Sequence, residues 1–144
     1  MEVTIGKSAE LIEKAQAIRY QVFTVEQNIP SELDLDGLDS VSEHALVMEV
    51  ERPVATARLV TNTDGSSVMA RVAVLDAYRG CGIASVVVKA LMEHANQKGV
   101  RSIEIHAHGY LRSYYERFGF EFIQEVEVVG EHQLIEMRHQ LVRA

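Results

Sequence analysis

The sequence predicts an α/β (α+β) fold with elements in the order β-α-β-β-β-α-β-α-β-β. Three observations predict it. The 144 residues are 47% hydrophobic, enough to bury one core across residues 1–144 as a single domain. Runs with a helical period alternate with short runs of β-branched residues. A strand running through Val72-Ala73-Val74-Leu75 passes over a glycine pair into a long apolar helix. No internal repeat, low-complexity tract or linker interrupts the chain.

Val3-Thr4-Ile5 reads as a first edge strand. Ser8 stands where a helix N-cap belongs, three residues before Leu11. Leu11, Ile12, Ala15, Ile18, Val22 and Val25 carry a helical period to about residue 27, and Pro30 ends it. Residues 31–43 read as a polar, acidic loop. Residues 45–50 and 54–60 form a hairpin turning at Glu51-Arg52-Pro53, and the turn Asn62-Thr63-Asp64-Gly65-Ser66 leads to a third strand over 68–75. Ile83, Val86, Val87, Ala90, Leu91 and His94 mark one face of the next helix, which Gly99 terminates. Residues 102–107 make a strand, 110–118 a brief helix stopped by Gly119, and strands follow from Phe120 and from Leu134.

Composition narrows the function. No run approaches the about eighteen apolar residues of a membrane helix. The N-terminus lacks the basic start and apolar core of a signal peptide. A single cysteine, Cys81, excludes an internal disulfide framework and suits a reducing cytoplasm. A formal net charge of −7 argues against general nucleic-acid binding.

The glycine loop carries the first chemical signal. Two glycines at a strand-to-helix junction let the backbone present N–H groups where the helix dipole is positive, which makes an anion site, and Arg79 adds a cation there. Gly80-x-Gly82-x-x-Ser85 nearly matches the dinucleotide fingerprint, with Glu104 about twenty residues on. That fingerprint follows the first strand of a doubly wound sheet, whereas several strands precede it here. A P-loop is excluded because no Gly-Lys-Ser/Thr triplet follows. The remaining rival is a plain tight turn.

Arg79-Gly80-Cys81-Gly82-Ile83-Ala84 resembles the Arg/Gln-x-x-Gly-x-Gly/Ala pyrophosphate loop of the GNAT superfamily of N-acetyltransferases. Ser113-Tyr114-Tyr115-Glu116-Arg117-Phe118-Gly119-Phe120 resembles that family's second signature, a short helix ending in Tyr-Glu-x-x-Gly-Phe. One helix and one strand separate the two motifs, as in the family. Tyr20-Gln21-Val22-Phe23-Thr24-Val25-Glu26-Gln27, with Glu32, Asp34, Asp39 and His44, is similar to a small bacterial branch bearing a Val-Phe-x-x-Glu-Gln motif. Gly130-Glu131-His132 departs from the Gly-Ile-Pro-His often found in that branch.

The resemblance implies the GNAT acyl-CoA N-acyltransferase fold, a central mixed, mostly antiparallel sheet flanked by helices. It implies acetyl-CoA as co-substrate, no metal, and direct transfer to a primary amine of a small molecule or peptide in a ternary complex. Such a reaction must polarise the carbonyl, free the amine of its proton and protonate or stabilise the thiolate. By resemblance, Val72, Ala73 and Val74 pair with the pantetheine arm and polarise the carbonyl. Arg79, Gly80, Cys81, Gly82, Ile83, Ala84 and Ser85 hold the pyrophosphate, and His108 contacts the coenzyme. Tyr115 faces the sulfur as proton donor, with Tyr114 as core. The candidates for general base are Glu26, Glu43, His44 and His106; Glu26 stands as the catalytic candidate beside Tyr115. A homodimer is also implied.

From Arg19 to Arg52 no cation intervenes while eight carboxylates do. This segment reads either as a solvated loop or as a local field drawing a cationic amine. Glu32-x-Asp34-x-Asp36-Gly37-x5-Glu43 nearly fits a calcium loop, but Pro30 breaks the entering helix and a strand follows. His106 and His108 share one strand face and suggest a metal pair lacking a third ligand. Cys81, at a helix N-terminus, is a candidate for oxidation. Two rival readings remain: an acyl-homoserine-lactone synthase, disfavoured by the short chain without tryptophan, and a non-catalytic acyl-CoA sensor.

Overall fold

The computed structural model describes residues 1–129 and 131–141, so Gly130 lies outside the described residues. The strands are β1 (Glu2–Gly6), β2 (Glu43–Glu49), β3 (Arg52–Thr61), β4 (Ser66–Val74), β5 (Ser102–His108), β6 (Glu121–Val129) and β7 (His132–Gln140). They form one sheet in the order β1-β2-β3-β4-β5-β7-β6, antiparallel except between β4 and β5. The helices are α1 (Ala9–Arg19), α2 (Ser31–Asp34), α3 (Ile83–Gln97) and α4 (Arg112–Glu116). The α3 crossover supplies the length that a parallel pair requires. No helix among the described residues is long and apolar enough to cross a membrane.

Alternation along β2 divides the core. Ala45 and Val47 face the larger cluster, which includes Ile83, Val87, Val88, Leu91 and Ala95 of α3. Leu46 faces the opposite way, against Leu11, Ile18 and Val22. Helices α1 and α3 therefore cover opposite faces of the sheet. Val86 of α3, assigned by the sequence pattern to the buried face, is 42% exposed, because the buried residues advance by four along 83, 87, 91 and 95.

Ser8 caps α1, its hydroxyl accepting from the Leu11 N–H at 3.2 Å. The helical run ends near residue 27 as expected, but its last part is a π-helix, Tyr20–Glu26. The wider turn rotates later side chains off the 3.6-residue stripe, so Val22 stays buried while Val25 is exposed. The hairpin turn also differs from the expected one. It is Val50-Glu51, and Pro53 lies within β3, opposite Met48 where the β2–β3 register shifts. A bulge tolerates the missing N–H.

Candidate active site

Strands β4 and β5 pair only at residues 66–68 with 102–104, and then part. Beyond Val68 the β5-facing edge of β4 therefore has no strand partner. A cleft of about 410 Å³ opens beside it. Val22, Phe23 and Gln27 line one side, Val72, Ala73 and Val74 the strand edge, and Arg79, Gly80, Gly82, Ile83, Ala84, Ser85 and Tyr114 the other side. A free strand edge offers main-chain N–H and C=O groups to an extended ligand.

At one end of the cleft, Gly80 and Gly82 have φ of +82° and +79°, a region that L side chains rarely adopt. A Cβ on either would meet no atom within 4 Å. These glycines serve the backbone bend and leave the space over it open. Gly82 caps α3, and the bond from the Val86 N–H to the Gly82 carbonyl (3.3 Å) leaves the N–H groups of the first turn without intrahelical partners. Such an end attracts anions.

Arg79 is tied down at this end. Its Nε donates to the Val74 carbonyl at 3.0 Å, and its guanidinium pairs with Glu26 at 2.8 Å and with Asp76 at 3.4 Å. Glu26, the catalytic candidate of the sequence, thus joins the π-helix to the glycine loop, and its carboxylate already has a cation. Cys81 does not line the cleft; it is exposed, its thiol 3.6 Å from the Arg79 carbonyl.

The tandem tyrosines divide differently from the sequence expectation. Tyr114, expected in the core, lines the cleft and shares a 2.9 Å hydrogen bond with the Ser85 hydroxyl. Tyr115 is 6% exposed, packed against Phe118 and Phe120, and burial pushes its phenol up to about 12. His108 also lies off the cleft wall. Its ring meets Tyr110 and His132, its Nδ1 is buried without a hydrogen-bond partner, and burial, then the neighbouring His132, lowers its pKa.

The centre of the acidic segment, Asp34 to Asp39, is neither a solvated loop nor an open field. The segment's first turn is α2, and Asp34 and Asp39 are buried. Arg19, fully buried, pairs with Asp34 at 2.9 Å and Asp39 at 2.8 Å. Arg58 bridges Asp36 and Asp39, and Arg71 reaches Asp34 and Asp36. Guanidinium groups from α1, β3 and β4 thus face the carboxylates of the calcium-like pattern. Arg71 has φ of +59°, within the stretch where β4 slips register against β3. This β-bulge lies between the closed end of the strand parting and the cleft-lining Val72, and sequence pattern alone does not reveal it.

The β5–β7 part of the sheet presents a polar face. Ile103, Ile105 and Ala107 enter the core, while Glu104, His106 and His108 alternate to the other side. His106 Nε2 lies 2.9 Å from Glu104, and ligand atoms of Glu104, His106 and Glu136 lie within 4.8 Å of one another. His106 therefore joins Glu104 and Glu136, while His108 turns to His132, so the two histidines take different partners.

A sheet splayed at its one parallel pair, beside a glycine-turned helix N-terminus, defines the acyl-CoA N-acyltransferase fold. The family model described as "Acetyltransferase (GNAT) domain" matches residues 10–141. An uncharacterized N-acetyltransferase of Bacillus subtilis (strain 168), YjcF, is 32% identical over 127 residues, 88% of this chain and 90% of the relative. An acyl-CoA N-acyltransferase of Pseudomonas aeruginosa superposes with a TM-score of 0.86 at 28% identity, covering 96% of this chain and 98% of that one. A Bacillus subtilis acetyltransferase in complex with CoA superposes with a TM-score of 0.75 at 16% identity, covering 98% and 99%. The chain belongs to the GNAT acetyltransferase family, and it is an N-acetyltransferase.

Proposed function

We propose that the cleft takes acetyl-CoA and that the acetyl group passes directly to a primary amine, of a small molecule or a peptide, in a ternary complex within one domain. The observation that carries this reading is the unpaired β4 edge running into the Gly80-Gly82 turn. An extended thioester arm fits the edge, and a pyrophosphate fits the helix end. A fold neighbour solved with CoA supports the same ligand.

In this reading the main chain of Val72, Ala73 and Val74 binds the arm, and an N–H there polarises the carbonyl. Gly80, Cys81, Gly82, Ile83, Ala84 and Ser85 offer N–H groups to the pyrophosphate, with Arg79 as its cation. Tyr114 borders the coenzyme's path, whereas His108, set off the cleft wall, would meet the coenzyme only beyond that wall. Tyr115 remains the proposed proton donor to the thiolate. A phenol held near 12 keeps its proton at every working pH, and a thiolate in the same dry surroundings is made more basic as well.

Melting curves with acetyl-CoA and CoA, followed by thiol release over a panel of primary amines, test the reading. Acetyl-CoA at a hundred times its dissociation constant should add about 2.7 kcal/mol. No stabilisation by either coenzyme form overturns the coenzyme site. Stabilisation without thiol release over the panel favours an acyl-CoA sensor.

A further inference from the structure

We propose that His106 is the general base that takes the proton from the acceptor ammonium, that Glu104 orients its ring, and that Glu136 beside them attracts the ammonium charge. The inference rests on the acetyltransferase reading and names its acceptor-side machinery.

Elimination among the base candidates is the first support. Glu26 is paired with Arg79 at the far end of the cleft. Glu43 is joined to His94 on the α3 side of the sheet. His44 is fully buried, with Nε2 donating to the Asp39 carbonyl at 2.9 Å. His106 is exposed and borders the parting strands.

Position is the second support. The last β4–β5 pair is Val68 with Glu104. His106 is the next outward-facing residue of β5, about 7 Å along the strand past the point of parting. The cleft lies along the opened part of the same V, beside residues 72–74 of β4. A thioester arm running from the helix end along the β4 edge points its acyl group towards this closed end. Helix α1 packs on β2, β3 and β4, and the imidazole remains open to solvent, so an amine can approach it.

Chemistry is the third. A carboxylate only accepts hydrogen bonds, so the contact from His106 Nε2 to Glu104 Oε2 (2.9 Å) puts the neutral ring's proton on Nε2. Nδ1 then carries the free lone pair. Glu136 is the register partner of His106 across β5 and β7. Arg138 holds Glu136 at 3.0 Å and Glu104 at 3.6 Å, while Gln124 donates to Glu136 at 3.0 Å. The two carboxylates are thereby fixed, with one guanidinium among the described residues set against their two charges. Further titratable groups on this face are His108 and His132, which meet ring to ring, and Glu121, the register partner of Arg138 on β6.

The protons balance. An N–H bond of R–NH3+ breaks as the Nδ1–H bond forms, and His106 returns that proton to solvent. The freed lone pair forms the C–N bond, and the C–S bond breaks. The nitrogen loses a second proton, matching the one that the departing thiolate takes up.

The test combines spectroscopy with kinetics, using spermidine, tyramine and a lysine peptide as acceptors. Long-range 15N spectra of the wild-type protein should find the neutral His106 ring protonated on Nε2; protonation on Nδ1 overturns the proposal. His106→Gln should lower kcat/KM at pH 7 by about 100-fold or more while leaving stabilisation by acetyl-CoA unchanged. The deficit should shrink towards pH 10, where the amine arrives deprotonated, a recovery that a merely structural role would not give. Glu104→Gln should cost less, with the ring tautomer released. Wild-type turnover in His106→Gln defeats the base alone, whereas a wild-type protein without thiol release over the panel defeats the transfer reading and the base with it. Turnover abolished by a chelator and restored by zinc would also overturn the proposal, since Glu104, His106 and Glu136 would then be metal ligands.

Discussion

Removing the Asp39 carboxylate tests whether the acidic segment is structural. Asp39 Oδ1 takes Arg19 at 2.8 Å and Arg58 at 3.1 Å, and Oδ2 takes Gln16 at 2.8 Å. Burial alone would raise this carboxyl's pKa, but the hydrogen bonds from Arg19 and Gln16 outweigh it and hold the group far below its ordinary value. Breaking a buried pair by deleting one partner costs about 3–5 kcal/mol. Both arginines keep a second carboxylate, Asp34 for Arg19 and Asp36 for Arg58, so Asp39→Ala should fall at the lower end, near 3 kcal/mol. Unfolding entropy of about 2.1 cal/mol/K per residue turns that into a fall of ~10 °C in melting temperature. The side chain of Asp36 is 30% exposed, and Asp36→Ala should cost about 1 kcal/mol, or ~3 °C. Calorimetry on both variants, alongside thiol release, decides the matter. An Asp39→Ala protein that melts within 2 °C of wild type yet loses turnover would refute the structural role and restore the electrostatic one.

Tyr115→Phe should lower turnover with little change in acetyl-CoA affinity, whereas Tyr114→Phe should weaken coenzyme binding by about 1 kcal/mol through the lost Ser85 bond. Steady-state kinetics and titration calorimetry separate the two, and full turnover in Tyr115→Phe removes it as donor. Gly82→Val should cost about 1–2 kcal/mol of stability from its positive φ and a larger amount of coenzyme affinity, because its side chain enters open space over the helix end. Equal losses in melting and in affinity would argue against a ligand there. His44 is held neutral: burial lowers its pKa from 6.5 against the opposing pull of the Asp39 carbonyl. The unfolded chain then binds the extra proton, so stability falls as pH drops below about 6.5. His44→Gln should be less stable but show a shallower fall between pH 6.5 and 5 in urea midpoints, the remainder belonging to His108, whose pKa is also lowered. An unchanged slope removes His44 as the source.

Local pattern made the elements and the glycine loop legible, because each is written over a few neighbouring residues. The strand at residues 68–75 lies within two residues of β4, and nine of the candidate coenzyme residues line one cleft. What escaped depends on groups far apart in the chain. The segment between Arg19 and Arg52 contains no cation, yet its partners Arg19, Arg58 and Arg71 bound or follow it on three other elements. A charge count along the chain does not register such pairing. The two tyrosines are adjacent on α4, so one helical step of about 100° decides which faces the cleft, and spacing alone left that choice to resemblance. The π-turn at Tyr20–Glu26 likewise obeys an apolar period at Val22 and breaks it at Val25.

The ion network and the cleft meet at one residue. Arg71 adopts a left-handed backbone that costs an L residue roughly 1–2 kcal/mol, and it does so at the β4 bulge. Its guanidinium reaches back to Asp34 at 3.0 Å and Asp36 at 3.2 Å, so the segment after α1 anchors the strained position from the opposite face of the sheet to α3. The bulge in turn sets how Val72, Ala73 and Val74 present their edge after the strand leaves Val68. The segment's carboxylates therefore act on the cleft through the shape of β4. A cationic amine approaching this face finds Asp34, Asp36 and Asp39 already matched by arginines, whereas Glu104 and the largely buried Glu136 beside His106 share one guanidinium, that of Arg138, among the described residues. Net acidity is spread over both regions, and of these two ion clusters it is Glu104 with Glu136 that outnumbers its guanidinium partners among the described residues.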